Sequence, residues 1–351
     1  MLEDRRATKT KLVTMHDVAR LANVSVATVS AVVNGKDGVS AKRTMQVREA
    51  MATLDYHPDL IARSLKVGRT HTIGMIVPDV TNPFHTEVMH SVEVEARLNG
   101  YSLMLCNSDE DPKYELHMLD TLFAQRVDGV LLATSDSSAA YDRLTRRRFP
   151  IVFIDRIPAG HKQNAVVTDN MGAAYDATKY LISLGHERIA IIAGHLHLST
   201  GFDRVEGYRK AMQEAHLLIR DEYFQRGDFR LESGYRCGLE LLRLAEPPTA
   251  IFSCNNKMTL GLMHALSELQ VASPERVSIL SFDDFEWAAN FSPRLTTVAQ
   301  PTHEIGKQAM QMLLRIMRPD REDSDLNEEE SIVVLKGELR IRESTASPTR
   351  S

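Results

Sequence analysis

The sequence predicts an all-α head over residues 14–57, a joining segment over 58–70, and a larger α/β body over 71–343. Three observations carry this. Apolar residues fall at helical spacing in two short runs between Thr14 and Asn34, parted by a polar break. From His71 onward short apolar runs alternate with amphipathic stretches, as in parallel sheets covered on both faces. The charge also divides. Residues 1–70 hold 12 Lys and Arg against 7 Asp and Glu, and the remainder holds 30 against 40, so the formal charge of −5 conceals a basic head on an acidic body. Such a head is drawn to phosphates, and such a body is kept off them.

Residues 1–13, with Arg5, Arg6, Lys9 and Lys11, read as a disordered basic arm. The first helical run holds Val18, Ala19, Leu21 and Ala22; Asn23-Val24-Ser25 interrupts it; Val26, Val29, Val32 and Val33 form the second. Ser25 suits an N-cap, because its hydroxyl can accept an otherwise unpaired amide. Two short helices joined by such a turn make a helix-turn-helix, which offers its second helix to the DNA major groove. Ser25, Val26, Ala27 and Thr28 would then face base edges and phosphates, with Val29, Val32 and Val33 turned inward. A plain helical hairpin has the same periodicity. Gly35-Lys36-Asp37-Gly38 is a turn, and Ser40 caps a third helix over 41–54, whose Met45, Val47, Ala50, Met51 and Leu54 close a small core.

The whole stretch TMHDVARLANVSVATVSAVVN resembles the lactose-repressor (LacI/GalR) family of bacterial transcription regulators. Thr14, Asp17, Val18, Ala19, Ala22, Val24, Ser25, Thr28, Val29, Ser30, Val32 and Asn34 match the family's pattern, a far more specific signal than a lone glycine motif. The resemblance implies binding to double-stranded operator DNA through Thr14, Ser25, Val26, Ala27, Thr28, Ser30 and Asn34. One position departs. The residue after Ser30 is usually a large polar base-reader in the family, and Ala31 cannot make the bidentate hydrogen bonds that arginine makes to guanine. Further on, YHPDLIARSLK resembles the family's hinge, which becomes a short helix on operator DNA. By that resemblance Leu65 is a wedge inserted into the minor groove, with Ala62 and Lys66 beside it. An apolar wedge unstacks a base step and kinks the duplex. Gly68-Arg69-Thr70 supplies a flexible joint after it.

In the body, strands are expected over 73–77, 102–106, 130–132, 151–154, 188–193, 250–253 and 278–282, and helices over 83–99, 112–125, 141–148, 172–184, 204–215, 232–244, 258–269 and 304–317. These are too many units for one sheet, so two lobes with a cleft between them follow. The family resemblance implies a periplasmic-binding-protein-like core of two parallel-sheet lobes, whose last helix returns to the first lobe. Gly185-His186-Glu187-Arg188-Ile189-Ala190 and Leu295-Thr296-Thr297-Val298-Ala299-Gln300-Pro301 support that alignment. Residues 344–351 are expected to be a flexible tail.

Open α/β sheets bind ligands outside the carboxyl ends of their strands. Four such ends hold aromatic faces, amides, a guanidinium and carboxylates: residues 79–85, 194–204, 254–257 and 283–287. This mixture suits sugars, which take flat apolar contact and paired hydrogen bonds to vicinal hydroxyls. By the resemblance, Arg204 and Asp283 match effector-contacting positions and Phe84 an aromatic wall, while Asn256 stands where many members carry aspartate. Trp287 is a further aromatic candidate. Plainer roles are open to each: helix capping for Asp283, a surface salt bridge for Arg204, core packing for Trp287. Lys257 beside Arg204 and Asp283, with Asn256 replacing an acid, suggests a sugar or sugar acid with the acid preferred.

Nothing argues for an enzyme. Phosphate-loop, dinucleotide and zincin motifs are absent, and His195 and His197 lack the partners of a metal site. No cofactor is expected. Cys106, Cys237 and Cys254 are scattered, and no apolar run is long enough for a membrane or a secretory signal, which together suit a reducing cytoplasm. A solute-binding protein or a sugar-processing α/β enzyme remains the alternative. The expectation is a repressor of carbohydrate uptake or catabolism genes, controlled allosterically by a small sugar. It would work as a homodimer, because one head reads too short an operator. Residues 343–351 hold no leucine heptad for a tetramer.

Overall fold

The computed structural model describes residues 13–34, 38–56, 69–136, 141, 149–161, 164–317 and 332–349. The chain forms two compact units with the boundary between Thr70 and His71. Ala62, Leu65 and Lys66 of the expected hinge, the basic arm up to residue 12, and the helix expected over 141–148, apart from Tyr141, lie outside the described residues.

The head folds from three helices, α1 (Met15–Leu21), α2 (Val26–Val33) and α3 (Ala41–Thr53). The Asp17 carboxylate accepts hydrogen bonds from the backbone N and the hydroxyl of Thr14 at 3.0 and 2.7 Å, closing the start of α1. Asn23, at φ +49°, makes the left-handed step that reverses the chain, a conformation amide side chains tolerate. Ser25 then caps α2 by accepting from Thr28 N at 3.1 Å. Val18, Ala19, Ala22, Val29, Val47, Ala50 and Tyr56 form the buried centre, with Val24, Val26, Val32 and Val33 packed around it.

The body has two six-stranded sheets. Lobe 1 contains β1 (Thr72–Val77), β2 (Ser102–Asn107), β3 (Gly129–Leu132), β4 (Ile151–Ile154), β5 (Ala165–Thr168) and β11 (Ile332–Leu335), in the order β11-β5-β4-β3-β1-β2 and all parallel. Lobe 2 contains β6 (Ile189–Ala193), β7 (Phe224–Arg226), β8 (Ala250–Ser253), β9 (Ser278–Phe282), β10 (Thr296–Ala299) and β12 (Glu338–Arg340), in the order β12-β10-β9-β8-β6-β7, with β12 antiparallel to β10. The central strands are buried along their whole length, which is why they read as continuous apolar runs.

Helices cover the sheets: α4 (Pro83–Leu98) and α5 (Pro112–Ala124) in lobe 1, then α6 (Asn170–Ser183), α7 (Ser199–Glu214), α8 (Leu231–Leu242) and α9 (Asn256–Glu268) in lobe 2. The last helix, α10 (Thr302–Ile316), returns to lobe 1, where Ile305, Ala309 and Leu313 join the core with Val88 and Val92 of α4. The chain thus passes between lobes three times, after β5, after β10 and between β11 and β12. Gly234 and Gly261 let α8 and α9 cross in backbone contact, since a Cβ on Gly261 would meet Leu231 O at 2.0 Å.

Residues 344–349 are not a loose tail. Ile279 N donates to Ser344 O at 2.7 Å, and the Ser344 hydroxyl donates to Ile279 O at 2.6 Å and accepts from Thr296 N at 2.8 Å. The segment satisfies buried backbone groups of β9 and β10, and so it is held. Ser344→Ala should leave two buried groups unpaired and destabilise the body by about 2–4 kcal/mol, read as a lower urea midpoint by circular dichroism. An unchanged midpoint would return the segment to a tail.

Candidate functional site

In the head, Ala27 is exposed at the start of α2, Thr28 and Ser30 are half-buried, and Val26 leans on the core. Thr14 and Ser25 act at helix caps, and Asn34 ends α2 with its Nδ2 donating to Ser30 O at 2.7 Å. Arg20, Lys42, Arg43 and Arg48 are exposed on α1 and α3.

In the body, the carboxyl ends of the two sheets face each other across a cavity of about 390 Å³. Phe84 opens α4 on one wall, its amide donating to Asn82 Oδ1 at 3.0 Å. Phe229 lies on the opposite lobe. Arg204, from the second turn of α7, is buried; its Nε donates to Asn170 Oδ1 at 2.8 Å and its Nη1 to Cys254 O at 2.6 Å, with the guanidinium 3.7 Å from the Phe282 ring centroid. Asp283 ends β9 at φ +70° and accepts from Gln300 Nε2 at 2.6 Å. Its neighbour Asp284 points the other way, onto Arg340 and Arg342 at 2.6 and 2.8 Å. Burial lifts the Asp283 carboxyl above the usual carboxylate range, against the pull of Arg204 and the Gln300 hydrogen bond.

Lobe 1 contributes a second cluster. Arg156 holds Glu110 with two bonds of 2.7 and 2.8 Å, and its guanidinium lies 5.3 Å from the Phe229 centroid. Asp155 ends β4 at φ +63°, with His85 Nε2 3.9 Å from its Oδ2. Burial opposes ionisation of Asp155, but His85 and Arg156 outweigh it and hold its pKa below the usual range. Asp155 and Asp283 leave β4 and β9 in the left-handed region that Asp tolerates, and both line the cleft. Asp155 Oδ1 and Thr200 Oγ1 line the same space, buried and without hydrogen-bond partners among the described residues.

Side chains also bridge the lobes, two pairs at the rim and one buried. Arg230 Nη2 donates to Asp109 O at 2.9 Å, Lys257 Nζ to Thr81 Oγ1 at 2.8 Å, and Asn256 Nδ2 to Asn82 Oδ1 at 2.9 Å.

Of the residues expected from sequence, Phe84, Arg204 and Asp283 meet in the cleft. Asn256 does not line it; it is buried, and its amide ties the lobes together. Trp287 is neither in the cleft nor in the core. It lies on a short 3-10 turn, Glu286–Ala289, where Ala288 takes the buried position, and it is 59% exposed. Lys257 is occupied by Thr81 and by Asp79 at 3.8 Å, so it does not present a free charge to a ligand. Asp155, Arg156, Glu110, Phe229, Thr200 and Gln300 were not singled out from sequence, although Asp155-Arg156 directly follows an expected strand. Among the described lining residues, Asp79, Asp109, Glu110, Asp155, Asp228, Glu232 and Asp283 outnumber Arg156, Arg204, Arg230 and Lys257.

A helix-turn-helix head on a two-lobed, cleft-bearing body defines a ligand-controlled DNA-binding regulator. Residues 14–59 match the model of bacterial regulatory proteins, lacI family, and residues 178–345 match a periplasmic binding protein-like domain. The HTH-type transcriptional repressor PurR of Histophilus somni (strain 2336) is 37% identical over 340 residues, 95% of this chain and 99% of that protein. The ribose operon repressor of Escherichia coli (strain K12) is 39% identical over 311 residues, 88% of this chain and 94% of that one. The lac repressor dimer bound to operator and the anti-inducer ONPF superposes with a TM-score of 0.84 at 26% identity, covering 96% of this chain and 100% of that one. A LacI family transcriptional regulator from Enterococcus faecium with bound ribose gives 0.68 at 30% identity, with 79% and 99% covered. The chain belongs to the LacI family of bacterial regulatory proteins. PurR and the ribose operon repressor are repressors by name. Among the described residues no helix is long and apolar enough to cross a membrane, and no cluster of side chains is arranged to hold a metal ion.

Because the pKa of Asp283 is raised on folding, its ionisation costs stability above the unfolded carboxylate's pKa and costs nothing where both states are protonated. Asp283→Asn should therefore raise the melting temperature near neutral pH and leave it unchanged below about pH 3. Calorimetric affinity for the ligand should fall by roughly tenfold or more as a buried hydrogen-bond acceptor is lost. Equal losses of stability at both pH values would contradict this.

Proposed function

We propose that this chain is a cytoplasmic repressor of carbohydrate uptake or catabolism genes, acting as a homodimer on operator DNA and controlled by a small neutral sugar held in the cleft. The observation that carries the ligand is the pair of unpartnered buried acceptors, Asp155 Oδ1 and Thr200 Oγ1, facing the same space as Asp283. Carboxylates of this kind accept two vicinal hydroxyls at once, and the Phe84 and Phe229 rings suit the apolar faces of a sugar. The excess of carboxylates and the engagement of Lys257 favour the neutral sugar over its acid. The ribose named for two of the relatives supports the same class.

A ligand acts on the operator only through its different affinity for two arrangements of the lobes, a coupling of typically about 1–3 kcal/mol. The bonds Asp109–Arg230, Thr81–Lys257 and Asn82–Asn256 cross between the lobes, and a ligand that contacts both lobes favours the arrangement that keeps them. Titration calorimetry of the whole chain with ribose, other pentoses, hexoses, their aldonic acids and purine bases tests this. The neutral sugar should bind more tightly than its acid. Tighter binding of the acid would refute the charge argument, and binding of purines alone would refute the sugar.

The hinge carries a separate expectation. Leu65→Ala should weaken operator binding by roughly tenfold, the ~1–3 kcal/mol of a truncated wedge, while the dimer mass by light scattering and the sugar affinity stay unchanged. Unchanged operator affinity would make Leu65 ordinary linker packing.

A further inference from the structure

The side chains of α2 that hydrogen-bond are engaged with one another. Ser25 Oγ accepts from Thr28 N at 3.1 Å and shares a hydrogen bond of 2.9 Å with Thr28 Oγ1. Asn34 Nδ2 donates to Ser30 O at 2.7 Å and to Ser30 Oγ at 3.3 Å. From Val26 to Val33 the helix reads VATVSAVV, with no charged and no amide side chain.

Helical geometry decides which of these side chains face outward. Val29 is fully buried and marks the inward direction. At about 100° per residue, Ala27 and Ala31 each lie roughly 160° from it, one turn apart on the opposite side. Val26, Val32 and Val33 turn toward the core and pack on it. Ala27 is exposed and Ala31 partly so. The outward ridge of the recognition helix is thus two methyl groups.

A methyl group offers no hydrogen bond to a guanine or an adenine edge. Its match in the major groove is the C5 methyl of thymine. We propose that α2 reads each operator half-site by apolar contact, with Ala27 and Ala31 packed on thymine methyl groups rather than hydrogen-bonded to purine edges. The exposed Arg20, Lys42, Arg43 and Arg48 hold phosphates, which supply affinity without regard to sequence. This rests on the DNA-binding reading of the head.

The test uses the full chain to recover duplexes from a random-sequence pool. Each half-site thymidine is then replaced in turn by deoxyuridine, which keeps every hydrogen-bonding edge and lacks the methyl. Affinity should fall about fourfold at one or two positions per half-site, the equivalent of ~0.8 kcal/mol for one buried methyl-sized group. In Ala31→Gly the penalty at one of those positions should shrink below about twofold, because the partner methyl is gone; this ratio is read within one protein and is independent of any loss of helix stability. Ala31→Arg should shift the recovered base at that position to guanine. Deoxyuridine without effect at every position, or a loss instead on replacing guanine by 7-deazaguanine, overturns the proposal. A pool in which no sequence is enriched overturns the DNA-binding reading itself, and this one with it.

Discussion

Gln300 accepts a hydrogen bond of 2.5 Å from the Thr168 hydroxyl, at the end of β5 in lobe 1, and donates one of 2.6 Å to Asp283, at the end of β9 in lobe 2. It stands on the passage from β10 to α10, so one amide joins both lobes and one of the three connections between them. The arrangement follows from topology. Because β5 feeds α6 in the other lobe and β10 feeds α10 back again, both sheets must present their carboxyl ends to the same space. Ligand groups gather there because that is where strands stop and backbone amides and side chains are free to point outward. Asn170 extends the chain of contacts, linking Thr168 O to the guanidinium of Arg204.

The charges in the cleft sort by depth. Deep groups are held by matched partners: Arg156 carries Glu110 in a forked pair and lowers its pKa against the opposing cost of burial. Such pairs fix geometry more than they add stability, since desolvation offsets most of their attraction. The rim contacts differ. The Arg230–Asp109 pair is well exposed on both sides, and solvent screens it heavily. The exposed pair adds little to the buried Asn256–Asn82 and Gln300 bonds that also join the lobes. A ligand shifts the balance between arrangements of the lobes only by its different affinity for them, and the few buried groups that join the lobes lie beside the space it would fill.

Burial made some strands legible to the residue, but it was neither sufficient nor necessary: β5 and β10 are fully buried and were not expected as strands, whereas the half-exposed edge strand β2 was. The strands at 151–154, 250–253 and 278–282 were read to the residue, because four or five consecutive buried positions leave a plain apolar run. Five strands escaped: β7 and β12 are three-residue edge strands that carry Gln, Arg and Glu, β11 is a four-residue edge strand, and β5 (AVVT) and β10 (TTVA) are short and carry threonine. In the site, a pair such as Glu110–Arg156 joins residues 46 apart and leaves no trace in linear spacing. Asp155 was within reach of the strand-end rule applied to every strand. Trp287 shows the opposite error: a rare aromatic residue near a site drew a role that its exposed turn does not give it.

Head and body depend on each other through the size of the signals they exchange. A recognition helix whose outward ridge is two methyls discriminates modestly, by a few-fold per contact, where a forked arginine–guanine pair supplies roughly 1–3 kcal/mol. Most of the head's affinity must therefore come from phosphate contacts that ignore sequence. Such a head is not selective alone. Doubling it, as in the proposed homodimer, multiplies the two half-site preferences and adds the fixed spacing between them as a further criterion. That second gain requires both heads to engage at once, so it is also the gain that a change in the body can withdraw. A coupling of only about 1–3 kcal/mol then suffices for control, because it acts on the whole paired interaction and not on one weak contact.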